Sequence, residues 1–122
     1  MKTIEYKINQ SSNLDILQHL NNCDDNFIPK LSSKVNLKDY SNKIFENAVR
    51  IEAWISNDLI GLIAVYQNII KQELFITNVS IEKKYTGNGI ANQLMNQLLI
   101  LFNSQDFNKI KLEVEVNNKI AI

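Results

Sequence analysis

A pair of glycines at the start of a helical pattern is the segment of this chain best suited to bind a ligand. Gly87 and Gly89 follow an apolar run and precede the helical pattern. Glycine adopts positive φ angles without strain and leaves room for a ligand where a Cβ would block it. A turn that opens a helix also presents free N–H groups at the positive end of the helix dipole, which suits phosphate oxygens. A plain strand-to-helix turn is the alternative, and the glycines alone do not separate the two.

The residues around these glycines exclude two familiar phosphate-binding motifs. No Gly-Lys-Ser/Thr sequence follows, so the segment is not a P-loop. Asn92 stands where a dinucleotide-binding fingerprint would have its third glycine. Lys83 and Lys84 precede the turn and could attract phosphates, although a solvated pair of loop lysines is the commoner arrangement.

Carboxylates on two predicted strands are the candidates for general-base catalysis. Glu52 shares a strand face with Arg50 and Trp54, and Glu113 shares another with Glu115. Any of these glutamates could take a proton from a nucleophile, directly or through water. For each of them we favour the alternative of a solvated or ion-paired strand residue.

Two polar residues interrupt the apolar run from Leu74 to Ile81. They are Thr77 and Asn78, and neither side chain is a competent base. Asn78 is a further candidate for the catalytic site.

The chain has one histidine, His19, and one cysteine, Cys23. So few ligands exclude a zinc site of the common Cys/His kinds, and we expect no metal. One cysteine cannot form an intrachain disulfide, which favours a cytoplasmic protein. Because His19 accompanies leucines on a predicted helix, we expect a surface or hydrogen-bonded histidine rather than a catalytic one.

Composition indicates an ordinary globular domain. The chain has 122 residues, of which 45% are hydrophobic, and its 13 basic residues balance 13 acidic ones. This length predicts one domain over residues 1–122. Zero net charge removes the electrostatic footprint expected for a nucleic-acid or anionic-membrane partner. The N-terminus lacks the apolar core of a secretory signal, and the run from Leu59 to Tyr66 is too short to span a membrane.

The apolar spacing predicts alternating strands and helices. Period-two patterns indicate strands near residues 4–8, 49–55 and 110–116, and short apolar runs with little alternation indicate strands at 59–66 and 74–81. Asn13 and Asn36 are predicted to cap two helices, the first with Leu14, Leu17 and Leu20 on its apolar face. A third helical pattern runs from Ile90 to Phe102. The sequence Ser56-Asn57-Asp58 predicts a hairpin turn between the second and third strands.

A family resemblance lies in these residues and their order. It rests on Val79-Ser80-Ile81, Tyr85 and the run Thr86-Gly87-Asn88-Gly89-Ile90-Ala91. The segment resembles the acyl-CoA-binding segment of the GNAT N-acetyltransferases, whose pattern is Gln/Arg-x-x-Gly-x-Gly/Ala. Gly89 and Ala91 match the last two positions, whereas Thr86 stands where the family has Gln or Arg. The sequence Leu112-Glu113-Val114, with Asn118 and Ala121, resembles the family's next strand and the start of its last helix.

The resemblance implies an α/β fold with a mixed, mostly antiparallel central sheet and helices on both faces. It also implies acetyl transfer from acetyl-CoA to a primary amine of a small molecule or peptide, by direct attack in a ternary complex. The main chain of Val79 and Ile81 would bond the pantetheine between two splayed strands, and an N–H near Val79 would polarise the thioester carbonyl. Asn118 would contact the pantetheine or the sulfur. In the family, the strand that matches Leu74 to Ile81 often bulges beside the thioester, which implies bulge geometry or a contact with the acceptor at Thr77 and Asn78. The pyrophosphate would lie on the N–H groups of Thr86, Gly87, Asn88, Gly89, Ile90 and Ala91.

The same family continues past the position of Ile122 with a helix, which bears a tyrosine that protonates the thiolate, and two more strands. Against that pattern the chain is incomplete at its C-terminus, either as a fragment or as a shortened relative, and we expect weak turnover of a chain that ends here. A non-catalytic acyl-CoA-binding or dimerising module is therefore the alternative. Without the last strands, the strand at 110–116 would be an edge, which favours a homodimer through residues 109–122.

Overall fold

A computed structural model describes residues 3–102 and 109–116 of the chain. Along the chain, the secondary-structure elements are a strand, two helices, three strands, a helix and a strand, with short 3₁₀ turns between some of these elements. The elements are β1 (Ile4–Ile8), α1 (Asn13–Cys23), α2 (Leu37–Asn47), β2 (Val49–Ile55), β3 (Asp58–Asn68), β4 (Glu73–Ile81), α3 (Ile90–Phe102) and β5 (Lys109–Val116).

The five strands form one sheet in the order β1-β2-β3-β4-β5. The first four are antiparallel neighbours, and β5 lies parallel to β4 after the crossover through α3. One apolar cluster packs between the sheet and α3, and a second packs between the opposite face and α1 and α2. The prediction of a mixed, mostly antiparallel sheet with helices on both faces is therefore confirmed. Of the helices the structure describes, none combines the length and hydropathy needed to cross a bilayer.

The N-terminus of α1 begins one residue earlier than the sequence predicted. Ser12, not Asn13, is the N-cap: its side chain accepts from the main-chain N–H of Asp15, and the Asp15 carboxylate accepts from the N–H of Ser12. This reciprocal pair is a capping box, and it satisfies two N–H groups that the helix leaves free. Asn36 caps α2 as predicted, accepting from the N–H of Asp39 at 3.0 Å.

The predicted apolar face of α1 is partly wrong. Leu14 is 70% exposed, and the buried stripe consists of Ile16, His19, Leu20 and Cys23. These residues are spaced by three and four, so they share a face as well as the leucines do. The prediction counted only leucines and left out the histidine, whose ring the fold buries with its hydrogen bonds satisfied.

The predicted irregularity in β4 is a bulge at Thr77. Across β3, Val65 pairs with Ile76 and Ala64 pairs with Asn78, so the register omits Thr77. The register with β5 shifts at the same place, between Ile76 and Asn78. A bulge of this kind bends the strand and redirects side chains. The prediction of bulge geometry at Thr77 and Asn78 is confirmed.

Candidate active site

The glycine turn enters α3 in the conformation that its sequence requires. Gly87 has φ of 84° and Gly89 has φ of 74°, both in the region that favours glycine. Apart from the glycine and its chain neighbours, no atom of the described residues lies within 4 Å of the position that a Cβ would occupy at either residue. The turn is therefore open at both glycines, and it is the positive φ angle that favours glycine there.

Side chains before and within the turn stabilise its shape. Thr86 Oγ1 donates to the carbonyl of Lys83 at 2.8 Å, and Asn88 Nδ2 donates to the carbonyl of Tyr85 at 3.0 Å. The Thr86 side chain, at the position where the family has Gln or Arg, thus bonds within its own turn. Any ligand contact from this position would come from the main chain.

The start of α3 leaves several N–H groups available. The first bond of the helix runs from the N–H of Gln93 to the carbonyl of Gly89 at 3.0 Å. Within the described part of the chain, the N–H groups of residues 87–92 have no recorded acceptor. A surface opening of about 670 Å³ is lined by Asn22, the acidic Glu82, Lys83 and Lys84, which precede the turn in sequence, and none of residues 86–91 lines it. Free N–H groups and two adjacent lysines suit an anionic ligand such as a pyrophosphate.

The strands expected to hold the pantetheine stay paired further than the resemblance implies. Beyond the bulge, Asn78 pairs with Glu115, and Val79 pairs with Val116. The two strands pair again directly after Thr77, which the register omits. The expected separation of β4 from β5 therefore does not begin before Val79. Recorded pairing on this side of β4 ends at Val79, and Ile81 lies two residues further on.

A first polar group on the α1–α2 face, here called the framework cluster, consists of Ser11, Arg50, Glu52 and Trp54. Both oxygens of Glu52 are engaged: Oε1 accepts from the N–H of Gln10 at 3.0 Å and from Trp54 Nε1 at 3.1 Å. Oε2 accepts from the N–H of Ser11 at 3.0 Å and from Ser11 Oγ, and it lies 3.5 Å from Arg50 Nε. Glu52 is fully buried.

Arg50 completes the framework cluster by joining two helix ends. Its Nε donates to Ser11 Oγ at 2.9 Å and its Nη2 to the Ser11 carbonyl at 2.8 Å, just before α1 begins. Its Nη1 donates to the carbonyl of Phe45 at 3.2 Å, in the last turn of α2. Glu52 is thus an ion-paired strand residue, as the favoured alternative described, and α1 and α2 cover this face of β2. Glu52 has neither a free oxygen nor exposure with which to act as a base.

A second polar group, here called the bulge cluster, lies on the same face and consists of His19, Tyr40, Thr77, Asn78 and Ser80. Tyr40 donates from α2 to the carbonyl of Thr77 at 2.7 Å and lies 3.0 Å from Thr77 Oγ1. From α1, His19 Nε2 lies 2.8 Å from Ser80 Oγ, and His19 Nδ1 lies 3.0 Å from the carbonyl of Leu59. Ser80 Oγ is also 2.8 Å from the Asn78 amide oxygen. The bulge is therefore held from both helices.

The bulge cluster differs from the framework cluster because it is not saturated. Asn78 is fully buried, and its Nδ2 has no partner within the described residues. On the same face, the buried hydroxyl of Tyr66 also has no partner there. Burial lowers the pKa of His19 to about 4 and raises the pKa of Tyr66 to about 12. Sequence reasoning missed Tyr40 and Ser80, whose roles depend on contacts between residues 37 and 61 positions apart.

The remaining predicted site residues lie at or beyond β5. Glu113 is within β5, two residues before Glu115, whose main chain pairs with Asn78. Asn118 lies outside the described residues. In the described part of the chain no group of three or more His, Cys, Asp or Glu residues is arranged to hold a metal ion.

The element order, the bulged β4 and the glycine turn agree with a sequence match to a known family. The model of the Acetyltransferase (GNAT) family matches residues 14–122. The chain belongs to the GNAT acetyltransferase family. No curated protein sequence is significantly similar to it.

Solved structures share the GNAT fold at low sequence identity. A possible acetyltransferase from Clostridium difficile 630 superposes with a TM-score of 0.71 at 15% identity, covering 92% of this chain and 80% of that one. An acetyltransferase from Clostridium acetobutylicum, solved with acetyl-CoA, gives 0.63 at 20% identity, with 90% and 80% covered. The PaiA N-acetyltransferase from Thermoplasma acidophilum, in complex with coenzyme A, gives 0.66 at 13% identity, with 90% and 78% covered.

Proposed function

We propose that this GNAT protein binds acetyl-CoA and transfers its acetyl group directly to a primary amine of a small molecule or peptide. The observation that carries the proposal is the glycine turn, which opens α3 with positive φ at Gly87 and Gly89 and with free N–H groups. In this proposal the main chain of residues 86–91 holds the pyrophosphate. The main chain of Val79 and Ile81 bonds the pantetheine, and Asn118 contacts its sulfur end.

The chemistry requires three things from the chain. The amine must lose a proton before it attacks, the thioester oxygen must be stabilised as charge develops on it, and the thiolate must gain a proton. We assign the oxyanion contact to the main chain near Val79, immediately after the bulge. We assign the base to a glutamate of β5, Glu113 or its neighbour Glu115, because Glu52 is buried and fully hydrogen-bonded.

Acetyl-CoA binding is tested by the shift of melting temperature. At one hundred times its Kd the ligand adds about 2.7 kcal/mol of stability, which is a readable shift, and ATP and NAD give less. Gly89→Val abolishes the shift because the branched side chain resists positive φ and obstructs the pyrophosphate. Gly89→Asn is the sharper variant, since asparagine tolerates positive φ but still fills the open space. No shift at millimolar acetyl-CoA or CoA contradicts the proposal.

A second function, acyl-CoA binding without turnover, is favoured by one observation. Of the four residues that the sequence nominated as catalytic, Glu52 is buried and fully hydrogen-bonded in the framework cluster, and Asn78 is not a base. Release of free thiol from acetyl-CoA in the presence of a panel of amines separates the two functions. Binding with thiol release supports the enzyme, and the Glu113→Gln and Glu115→Gln variants then locate the base. Binding of acetyl-CoA without release of free thiol supports a non-catalytic acyl-CoA-binding module.

We further propose a single cytoplasmic domain that forms a homodimer through residues 109–122. Among the described strands β5 lies at the edge of the sheet, and Ile110 is 44% exposed. An edge strand with exposed apolar residues is a template for pairing with a second chain. Light scattering at micromolar concentration distinguishes the dimer from a monomer of 14.1 kDa. Val114→Lys restores the monomer if the contact is correct.

A further inference from the structure

The hydrogen bonds of the bulge cluster can be assigned a direction. The carbonyl of Leu59 can only accept, so the proton of the His19 ring lies on Nδ1, 3.0 Å away. Burial lowers the pKa of His19 to about 4, so the ring is neutral near pH 7. Its Nε2 therefore has no proton and accepts from Ser80 Oγ at 2.8 Å.

This direction fixes the orientation of Asn78. Ser80 has one hydroxyl proton, and it donates that proton in the hydrogen bond to His19 Nε2. In the 2.8 Å hydrogen bond between Ser80 Oγ and the Asn78 amide, Asn78 must therefore be the donor. Rotating the amide by 180° places its NH₂ group on Ser80, at no cost in shape. After the rotation the amide oxygen, in place of the nitrogen, is the Asn78 atom that has no partner among the described residues. The ordered chain then runs from Asn78 through Ser80 and His19 to Leu59.

The second helix fixes the other side of the bulge. A bulge removes the extra residue from the ladder, and Tyr40 supplies a donor to the Thr77 carbonyl at 2.7 Å. Thr77 is thus bonded to a side chain of α2, and Asn78 is connected through Ser80 to a side chain of α1, immediately before Val79. A shift of about 1 Å in a reacting geometry typically costs two orders of magnitude in rate.

We propose that Tyr40 and the His19–Ser80 pair are positioning residues, which hold the bulge so that the main chain after it meets the thioester correctly. This proposal rests on the proposed acetyl transfer, because it concerns the geometry of the same site. It assigns a role to the only histidine in the chain, and it explains why a histidine and two polar strand residues are buried where apolar ones would pack.

The closing experiment compares two matched tyrosine variants and Ser80→Ala. Tyr40→Phe removes a hydroxyl that bonds the bulge, whereas Tyr66→Phe removes a hydroxyl on the same face that has no partner among the described residues. We expect Tyr40→Phe and Ser80→Ala to lower kcat roughly ten- to a hundredfold, with the KM for acetyl-CoA within about twofold. Tyr66→Phe leaves both constants within about twofold. Equal losses in the two tyrosine variants, or a loss confined to KM, overturn the proposal.

Two readouts do not depend on turnover. Nitrogen chemical shifts of His19 report its tautomer, and the proposal requires a proton on Nδ1 and none on Nε2. Amide hydrogen exchange at residues 77–79 should accelerate at least about tenfold in Tyr40→Phe and not in Tyr66→Phe. A proton on Nε2, or unchanged exchange in Tyr40→Phe, overturns the assignment. A wild-type protein that binds acetyl-CoA without turnover refutes the proposed transfer and the catalytic role, while these two readouts still decide whether the bulge is held.

Discussion

The framework cluster and the bulge cluster lie on the same face of one sheet, beneath the same two helices, yet they differ in how completely they are bonded. In the framework cluster the Glu52 carboxylate accepts from Gln10, Ser11 and Trp54 and is paired with Arg50. In the bulge cluster one end of the Asn78 amide is left without a partner among the described residues, whichever way the amide is turned. Fully satisfied polar networks rigidify a fold, whereas unsatisfied buried groups call for an explanation. We therefore assign the first cluster to the architecture and the second to the site.

The largest effect is expected when the framework cluster is broken. Glu52→Ala should lower the free energy of unfolding by about 3–5 kcal/mol, because it leaves the buried Arg50 guanidinium without its counter-charge. Glu46→Ala, which removes an exposed carboxylate from α2, is the control and should change it by less than about 0.5 kcal/mol. Denaturant unfolding measures both. A Glu52→Ala protein of normal stability that has lost only its activity would show that Glu52 is the catalytic base.

The next effect is the pH dependence that His19 gives to stability. The pKa of His19 is lowered from 6.5 to about 4 by burial. Above pH 6.5 the ring is neutral in both states. As the pH falls from 6.5 to 4, His19 becomes protonated in the unfolded chain but stays neutral in the folded one. The free energy of unfolding therefore decreases, by about 3 kcal/mol in total.

His19→Asn provides the control for that titration. His19 is the only histidine of the chain, so carboxylates titrate alike in the two proteins and the difference between their stability curves isolates the imidazole. Cys23, the nearest titratable neighbour at 3.7 Å from Nε2, stays a neutral thiol because burial raises its pKa to about 12. Parallel stability curves from pH 7 to pH 4 would contradict a buried neutral histidine.

A smaller effect separates a bonded hydroxyl from an unbonded one. Tyr40→Phe should cost about 1 kcal/mol of stability, since it leaves the Thr77 carbonyl without its donor. Tyr66→Phe should be neutral or slightly stabilising, because it removes a buried hydroxyl with no partner among the described residues. Thermal unfolding of the two variants, side by side, checks the order. The reverse order would remove the distinction on which the bulge cluster rests.

The smallest effect concerns the thiol beside His19. Burial raises the pKa of Cys23 to about 12, and the side chain is fully buried. Alkylation of the native protein at pH 8 should therefore be slow and should accelerate in step with unfolding by denaturant. Rapid modification without denaturant would show that α1 opens away from the bulge.

Local patterns were sufficient to predict most of the fold. Alternation and short apolar runs placed the strands, the spacing of Leu94 and Leu98 placed α3, and the pair Gly87 and Gly89 predicted the positive-φ turn that the structure shows. The Asn36 cap was predicted because a cap is a contact within three residues. The buried face of α1 was only partly predicted, because the spacing of apolar residues does not reveal that His19 is buried with both ring nitrogens hydrogen-bonded.

The candidate site was harder to predict because its contacts are distant in sequence. Glu52 was nominated as a base on residue type alone, and its sequestration depends on Ser11, 41 residues earlier. Ser80 was read as part of a motif, although its side chain bonds His19, 61 residues earlier. A sequence lists donors and acceptors, but the fold decides which of them meet.

The central claim is that the glycine turn holds the pyrophosphate of acetyl-CoA, and calorimetric titration with two donors tests it most directly. Acetyl-CoA and S-acetylpantetheine share the thioester, and only the first carries the pyrophosphate. We predict that the wild-type protein binds acetyl-CoA far more tightly, and that Gly89→Asn lowers its affinity for acetyl-CoA to the level of S-acetylpantetheine while leaving the latter unchanged. Equal affinities of the wild-type protein for the two donors, or a Gly89→Asn protein with undiminished acetyl-CoA binding, would contradict the account.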